Sequence, residues 1–188
     1  MDLGAKPINI PTGPIELNLP TTKGIGGAPV YLIDRYQDGQ SIHDINSEII
    51  SNAPSHPTGG SFAAIDHMTH KVLRGHIRYC DYYYKKLFGF REIRYFDIRG
   101  EYTRLKSRAL TPPNGQIRIP LNAEASVGTG QIKEFLIAFN SEGIQHIVLA
   151  TKNLLESWYL LKASGVNFMT PPPKPIIKYP LTRPWGTH

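Results

Sequence analysis

Two short apolar runs, Ala64 to His70 (Ala-Ile-Asp-His-Met-Thr-His) and Gly143 to Ala150 (Gly-Ile-Gln-His-Ile-Val-Leu-Ala), constrain this chain more than any other feature. Each is rich in β-branched and apolar residues and is bounded by turn-forming residues, so each reads as a short buried strand. Each also carries one histidine. His67 and His146 lie too far apart in sequence to share a helix, so only a sheet that joins two similar units lets them meet. Two neutral imidazoles and a carboxylate on one face, with open positions opposite, form the ligand set of non-haem ferrous oxygenases. Spacing alone equally allows two hydrogen-bonded histidines of the core or its rim. The surrounding sequence has to decide.

That sequence is regular from Ser61 onward. After the strand Ala64 to Val72, the residues Ile77, Cys80, Tyr84, Leu87 and Phe88 recur at helical spacing, and Gly89 supplies a stop. Three strands are expected next: Arg91 to Ile98, Tyr102 to Leu110, and Gln116 to Asn122 after the turn Pro112-Pro113-Asn114-Gly115. A short helix over Gln131 to Phe139 leads to the second histidine strand. A helix then opens at Asn153, where Glu156 three residues on makes a capping-box pattern, and closes at Gly165. A strand over Val166 to Met169 is expected to follow. The unit is therefore strand, helix, strand, strand, strand, with a second unit begun and not completed.

The flanks differ in character. Residues 1–58 are rich in Pro, Gly and Asn. They contain two expected strands, Pro14 to Leu19 and Pro29 to Asp34, around the glycine-rich turn Lys23-Gly24-Ile25-Gly26-Gly27. Two or three strands without a helix cannot close a core, so this segment reads as the end of a domain, followed by a linker over Asn52 to Gly60. At the other end, residues 174–188 hold three prolines and no Asp or Glu. Proline removes the ladder's N–H donor, so this tail cannot supply central strands. The domain reading is thus 1–58, 59–173 and a divergent tail over 174–188.

With 188 residues and 40% hydrophobic side chains there is material for one good core or two small ones, and no apolar run approaches the length of a membrane span. A net charge of +6 raises the question of nucleic acid, but the basic residues alternate with apolar ones and form no dense stripe. Neither a nucleic-acid nor a membrane partner is expected. A single cysteine, Cys80, excludes an internal disulfide framework and fits a small core residue. No charged-then-apolar leader precedes it, so the expected location is cytoplasmic.

Longer strings resemble one family. Glu16-Leu-Asn-Leu-Pro, Lys23-Gly-Ile-Gly-Gly-Ala-Pro-Val-Tyr-Leu-Ile-Asp-Arg, Ile65-Asp-His-Met-Thr-His, Phe90-Arg-Glu-Ile-Arg-Tyr-Phe-Asp-Ile-Arg-Gly-Glu-Tyr-Thr, Ile117-Arg-Ile-Pro-Leu-Asn and Gly143-Ile-Gln-His are similar to stretches of the 4-hydroxyphenylpyruvate dioxygenase family, within the vicinal-oxygen-chelate superfamily. The resemblance implies an α+β fold of βαβββ modules, one complete and flanked by partial ones. It implies Fe(II) held by His67 and His146, and a cavity lined by Ser107, Asn122, Gln131 and Gln145. A hydroxyl and three amides suit a phenol, a ketone and a carboxylate without adding a charge that competes for the metal. The implied reaction converts 4-hydroxyphenylpyruvate and O2 to homogentisate and CO2 in tyrosine breakdown.

The chain also departs from that pattern. The family's third ligand is a glutamate in a Phe-Phe-Glu-like context, and nothing after Pro173 offers it. Lys71 stands where relatives usually carry Asn. The expectation is a chain truncated at both ends that lacks full activity alone, with a shifted reading frame or truncated gene as one origin of the tail. Three other readings stay open: a hydroxymandelate synthase-like dioxygenase, a non-catalytic interaction module that pairs through its open sheet edge, and a metal-binding module completed across a homo-oligomer, with His70 or Glu142 recruited as a ligand.

Overall fold

The computed structural model describes residues 3–14, 16–34, 41–43, 47–48, 50–52, 60–99, 104–124 and 130–170. The tail over 174–188 and most of the linker lie outside the described residues. Within them run β1 (Thr21–Lys23), β2 (Pro29–Tyr31), β3 (Phe62–Lys71), α1 (Ile77–Phe88), β4 (Arg91–Arg99), β5 (Arg104–Thr111), β6 (Ile119–Glu124), α2 (Gln131–Phe139), β7 (Gly143–Thr151) and α3 (Leu154–Ala163). From β3 to β6 the order is strand, helix, strand, strand, strand, and β7 with α3 begins another such unit. The architecture is mixed α+β. No helix among the described residues is long and apolar enough to cross a membrane.

The chain divides into two compact units, one of residues 1–57 and 63–150, the other of residues 58–62 and 151–188. The larger holds a five-stranded sheet in the order β4-β5-β6-β3-β7. β4, β5 and β6 are successive antiparallel neighbours, whereas β3 runs parallel to β6, because the crossover through α1 returns the chain to the same direction. The β5–β6 turn is closed by the Gly115 N–H donating to the Pro112 carbonyl at 3.0 Å, with Gly115 at φ +69°. α1 ends at Gly89, whose left-handed φ of +65° lets its N–H reach back to the Lys85 and Tyr84 carbonyls, and Lys85 and Lys86 sit where the helix dipole favours cations.

Under α1 lies the core. Val72, Cys80, Leu110 and Leu121 are completely buried, with Ile77, Ile119, Ala123 and Ile25 around them. Burying a leucine fully contributes about 1.5–3 kcal/mol, so Leu110 and Leu121 alone hold the middle of the sheet firmly against the helix. Ile25 belongs to the turn Ile25–Gly27 between β1 and β2, which pair antiparallel as a separate two-stranded sheet. That turn is fastened by the Ser141 hydroxyl, which donates to the Gly26 carbonyl at 2.8 Å.

Two expected strands do not form. Over Pro14 to Leu19 the described backbone turns instead, because Glu16 N–H donates to the Gly13 carbonyl and the Glu16 carboxylate accepts from Gly13 N–H. The pairing strand there is β1. Val166 to Met169 is also unpaired, since the Val166 N–H is spent on the Leu161 carbonyl in closing α3, where Gly165 adopts φ +84°. The smaller unit is otherwise as its sequence suggests: the Asn153 side chain accepts from Glu156 N–H at 3.2 Å as the cap of α3, and Trp158 of α3 packs against Phe168.

Candidate functional site

Successive side chains of a strand point to opposite faces of the sheet. On β3 this puts His67, Thr69 and Lys71 on one face and Met68 and His70 on the other, with Val72 continuing the second series. The second face is the one beneath α1: His70 is buried and its Nδ1 lies 3.2 Å from the Tyr84 hydroxyl of that helix. The first face carries the candidate residues.

Strand register arranges them. Lys71 on β3 is opposite Asn122 on β6, Asn122 is opposite Ser107 on β5, and Ser107 is opposite Phe96 on β4. Four strands thus contribute one residue each to a single row. Two turns of the pleat away on β3, His67 is bridged to Arg118, the residue before β6. β7 is the other neighbour of β3 and brings His146 to it, so that the two imidazole rings lie 5.9 Å apart between centroids at 74°.

Each ring has a fixed orientation. His67 Nδ1 donates to Asp66 Oδ2 at 2.7 Å, and His146 Nδ1 donates to Gln145 Oε1 at 2.6 Å. With both Nδ1 atoms protonated, each Nε2 keeps its lone pair, the tautomer a metal ligand needs. His146 is held below its usual pKa, first by burial and then by the nearby charges of Lys71 and His67, which favours the neutral ring further. Two rings bound to one cation through nitrogens at about 2.1 Å have their centres roughly 4.5–5.5 Å apart. The observed 5.9 Å is slightly longer than that range.

The other predicted residues are less uniform. Ser107 is buried, and Asn122 Oδ1 is a buried acceptor with no hydrogen-bond partner among the described residues. Gln131 is the exposed first residue of α2, whose start is tied to β6 by Lys133 N–H donating to Glu124 Oε1 at 3.1 Å. Gln145 touches the pair only through His146. The register also brings in Phe96, which the sequence did not single out; its β4–β5 pairing is the signal that would have found it.

The two residues considered as substitute ligands are elsewhere. His70 lies on the α1 face, and Glu142 Oε1 accepts from Leu73 N–H at 2.8 Å and faces His76 Nδ1 at 3.2 Å. Asp66 is taken too, with Oδ2 on His67 and Oδ1 on the Arg118 guanidinium at 2.7 Å. Among the described residues no group of three or more His, Cys, Asp or Glu side chains could hold a metal ion. The residues present fit two of the three donors of a facial triad, and the carboxylate is not among them.

Comparison with known proteins agrees with this fold. A family model described as the Glyoxalase/Bleomycin resistance protein/Dioxygenase superfamily matches residues 50–178, and the chain belongs to that superfamily. Residues 1–48 match a model of the N-terminal part of hydroxyphenylpyruvate dioxygenase. The chain is 57% identical over 173 residues to the 4-hydroxyphenylpyruvate dioxygenase of a Pseudomonas species (strain P.J. 874), covering 92% of itself and 48% of that protein. With the 4-hydroxyphenylpyruvate dioxygenase of Pseudomonas aeruginosa it shares 45% identity over 157 residues, covering 84% and 43%. It thus spans about half the length of the curated relatives it matches. Among solved structures, a triple mutant of 4-hydroxymandelate synthase from Streptomyces coelicolor superposes with a TM-score of 0.68 over 90% of this chain and 49% of that one, at 18% identity. At that identity the likeness is one of fold.

Proposed function

We propose that this chain carries the two-histidine part of a ferrous dioxygenase site whose substrate is 4-hydroxyphenylpyruvate. The observation that carries the reading is the His67–His146 pair, contributed by neighbouring strands, with both Nδ1 atoms occupied by acceptors. Imidazole nitrogen suits Fe(II), and the relatives' printed activity supplies the substrate. A bound ferrous ion would supply the redox chemistry that O2 requires. The net reaction is 4-hydroxyphenylpyruvate plus O2 to homogentisate plus CO2.

The chain's own residues have three tasks. Asp66 and Gln145 hold the imidazoles in one tautomer. Ser107 and Asn122 offer a hydroxyl and an amide from adjacent strands to the oxygens of the 2-oxo acid, and Phe96 continues their row with an aromatic surface. Gln131 and Gln145 extend the polar lining. We further infer that residues 1–58 end an N-terminal module, as the match over residues 1–48 suggests, that 59–173 form an incomplete catalytic-type module, and that the setting is cytoplasmic. With two of three ligands, turnover by this chain alone is expected to be low or absent.

The test is anaerobic loading with Fe(II), then oxygen uptake and product identification with 4-hydroxyphenylpyruvate. Iron should bind, and His67→Ala or His146→Ala should each abolish the binding. Homogentisate formed by the wild type and lost in His67→Ala would mean that another copy of the chain supplies the third donor. Iron affinity unchanged in both variants would overturn the proposal, and 4-hydroxymandelate as product would move the chain to the sister activity.

A further inference from the structure

We infer that Lys71 is a binding residue of this face: its ammonium, beside the Asn122 amide and the Ser107 hydroxyl, receives the carboxylate of an aryl 2-oxo acid, with or without a metal. The inference rests on the substrate class proposed above and adds an anion subsite to it.

Three observations converge on Lys71. Its register opposite Asn122, and that of Asn122 opposite Ser107, puts a lysine, an asparagine and a serine on successive strands of the face that carries His67. Lys71 is also buried, at 9% exposure, and no carboxylate among the described residues pairs with it. Of the other basic residues of this face, Arg118 is paired with Asp66, and Arg94 lies over the Phe96 ring at 5.6 Å. Thirdly, Asn122 Oδ1 is buried without a partner, so the amide beside Lys71 has hydrogen-bonding capacity that only a ligand or water can use.

A cation on a largely buried side chain with no counter-ion is less well solvated than one in water, and a buried polar atom without a partner is costly. Both costs fall if an anion with both acceptor and donor capacity enters. A carboxylate alone satisfies Lys71, and an adjacent enol or hydroxyl hydrogen can satisfy Asn122 Oδ1; an aryl 2-oxo acid in its enol form offers the two on neighbouring carbons.

The test uses the 188-residue chain in chelator, free of metal, and measures binding of 4-hydroxyphenylpyruvate by calorimetry, with its methyl ester as the neutral counterpart. The acid should bind more tightly than the ester. Lys71→Met should weaken the acid about 10- to 100-fold, the range of a charge-assisted contact, and leave the ester unchanged. Lys71→Arg should retain most of the acid's affinity, which separates loss of charge from loss of structure. Added salt should weaken the acid and not the ester, a readout in the wild type that does not depend on any variant folding. Equal affinity of acid and ester, no binding of either, or acid binding indifferent to Lys71→Met would overturn the inference. Lys71-dependent acid binding without homogentisate from the iron-loaded chain would leave the subsite standing and refute the proposed reaction; homogentisate with Lys71-independent binding would do the reverse.

Discussion

His70 should make this fold sensitive to mild acid, and the size of the effect can be worked from its surroundings. The imidazole is 5% exposed, faces the Tyr84 hydroxyl through Nδ1, and leaves Nε2 buried without a partner. Burial lowers its pKa from 6.5 to about 4, a shift that the neighbouring Glu142 charge only partly opposes. Between these two values the unfolded chain binds a proton that the folded chain does not, so stability is full above pH 6.5 and is lost as pH falls towards 4. At about 1.4 kcal/mol per pH unit the whole loss is about 3 kcal/mol, and at pH 5 it is already about 2 kcal/mol. Against a typical domain stability of about 5–15 kcal/mol that is a readily measured fraction. His70→Gln removes the titrating group while keeping a side chain that can bond Tyr84. Urea unfolding followed by circular dichroism at pH 7.5 and pH 5 should show the wild type losing about 2 kcal/mol more than the variant. Contributions common to both proteins cancel in the comparison. Equal losses in the two proteins would refute the reasoning, whatever their absolute stabilities.

Other consequences are simpler to state. Leu121→Ala, at a completely buried position of β6, should cost about 2–5 kcal/mol in the same unfolding assay. Cys80, completely buried with its thiol pushed up to about 12 by burial, should resist iodoacetamide in the folded chain and react once urea unfolds it, as mass spectrometry would report. Asp66→Asn should weaken divalent metal binding about 10- to 100-fold by loosening the His67 tautomer, without the complete loss expected of His67→Ala.

The element order was legible because its signals are local. Helical spacing from Ile77 to Phe88, the Pro-Pro-Asn-Gly turn, the Gly89 stop and the Asn153–Glu156 cap all act within a few residues, and the corresponding elements formed within two or three positions of where they were expected. The two strands that did not form needed partners the sequence could not reveal. A run such as Val166 to Met169 has strand-like residues, but a strand also needs a ladder, and the backbone there closed a helix instead. The site residues divide in the same way. His67 and His146 announce themselves by lying inside apolar runs. Phe96 does not, because its place beside Ser107 is fixed by pairing across β4 and β5, which includes a register shift between Glu92 and Arg94. The conflict at Lys71 was visible only as an unexpected charge; its burial and lack of a counter-ion are properties of the folded sheet.

The arrangement of this face depends on the core behind it. On β3 and β6 the residues under α1, namely His70 and Val72 with Ile119, Leu121 and Ala123, alternate one for one with those of the open face, His67 and Lys71 with Asn122. A slip of β3 by one residue would carry Lys71 and His67 under α1 and turn Val72 out to solvent. The slip would forfeit the packing of Val72 in the core beside Leu110 and Cys80 and set polar side chains there instead, so the register that opposes Lys71 to Asn122 is strongly preferred. It follows that residues never touching a ligand set the spacing of those that do. Substitutions on the outer surface of α1 should leave the His67–His146 pair intact, whereas truncation of Val72 or Leu121 should loosen the imidazole pair and the Lys71–Asn122–Ser107 row together, since both are carried by the same strands.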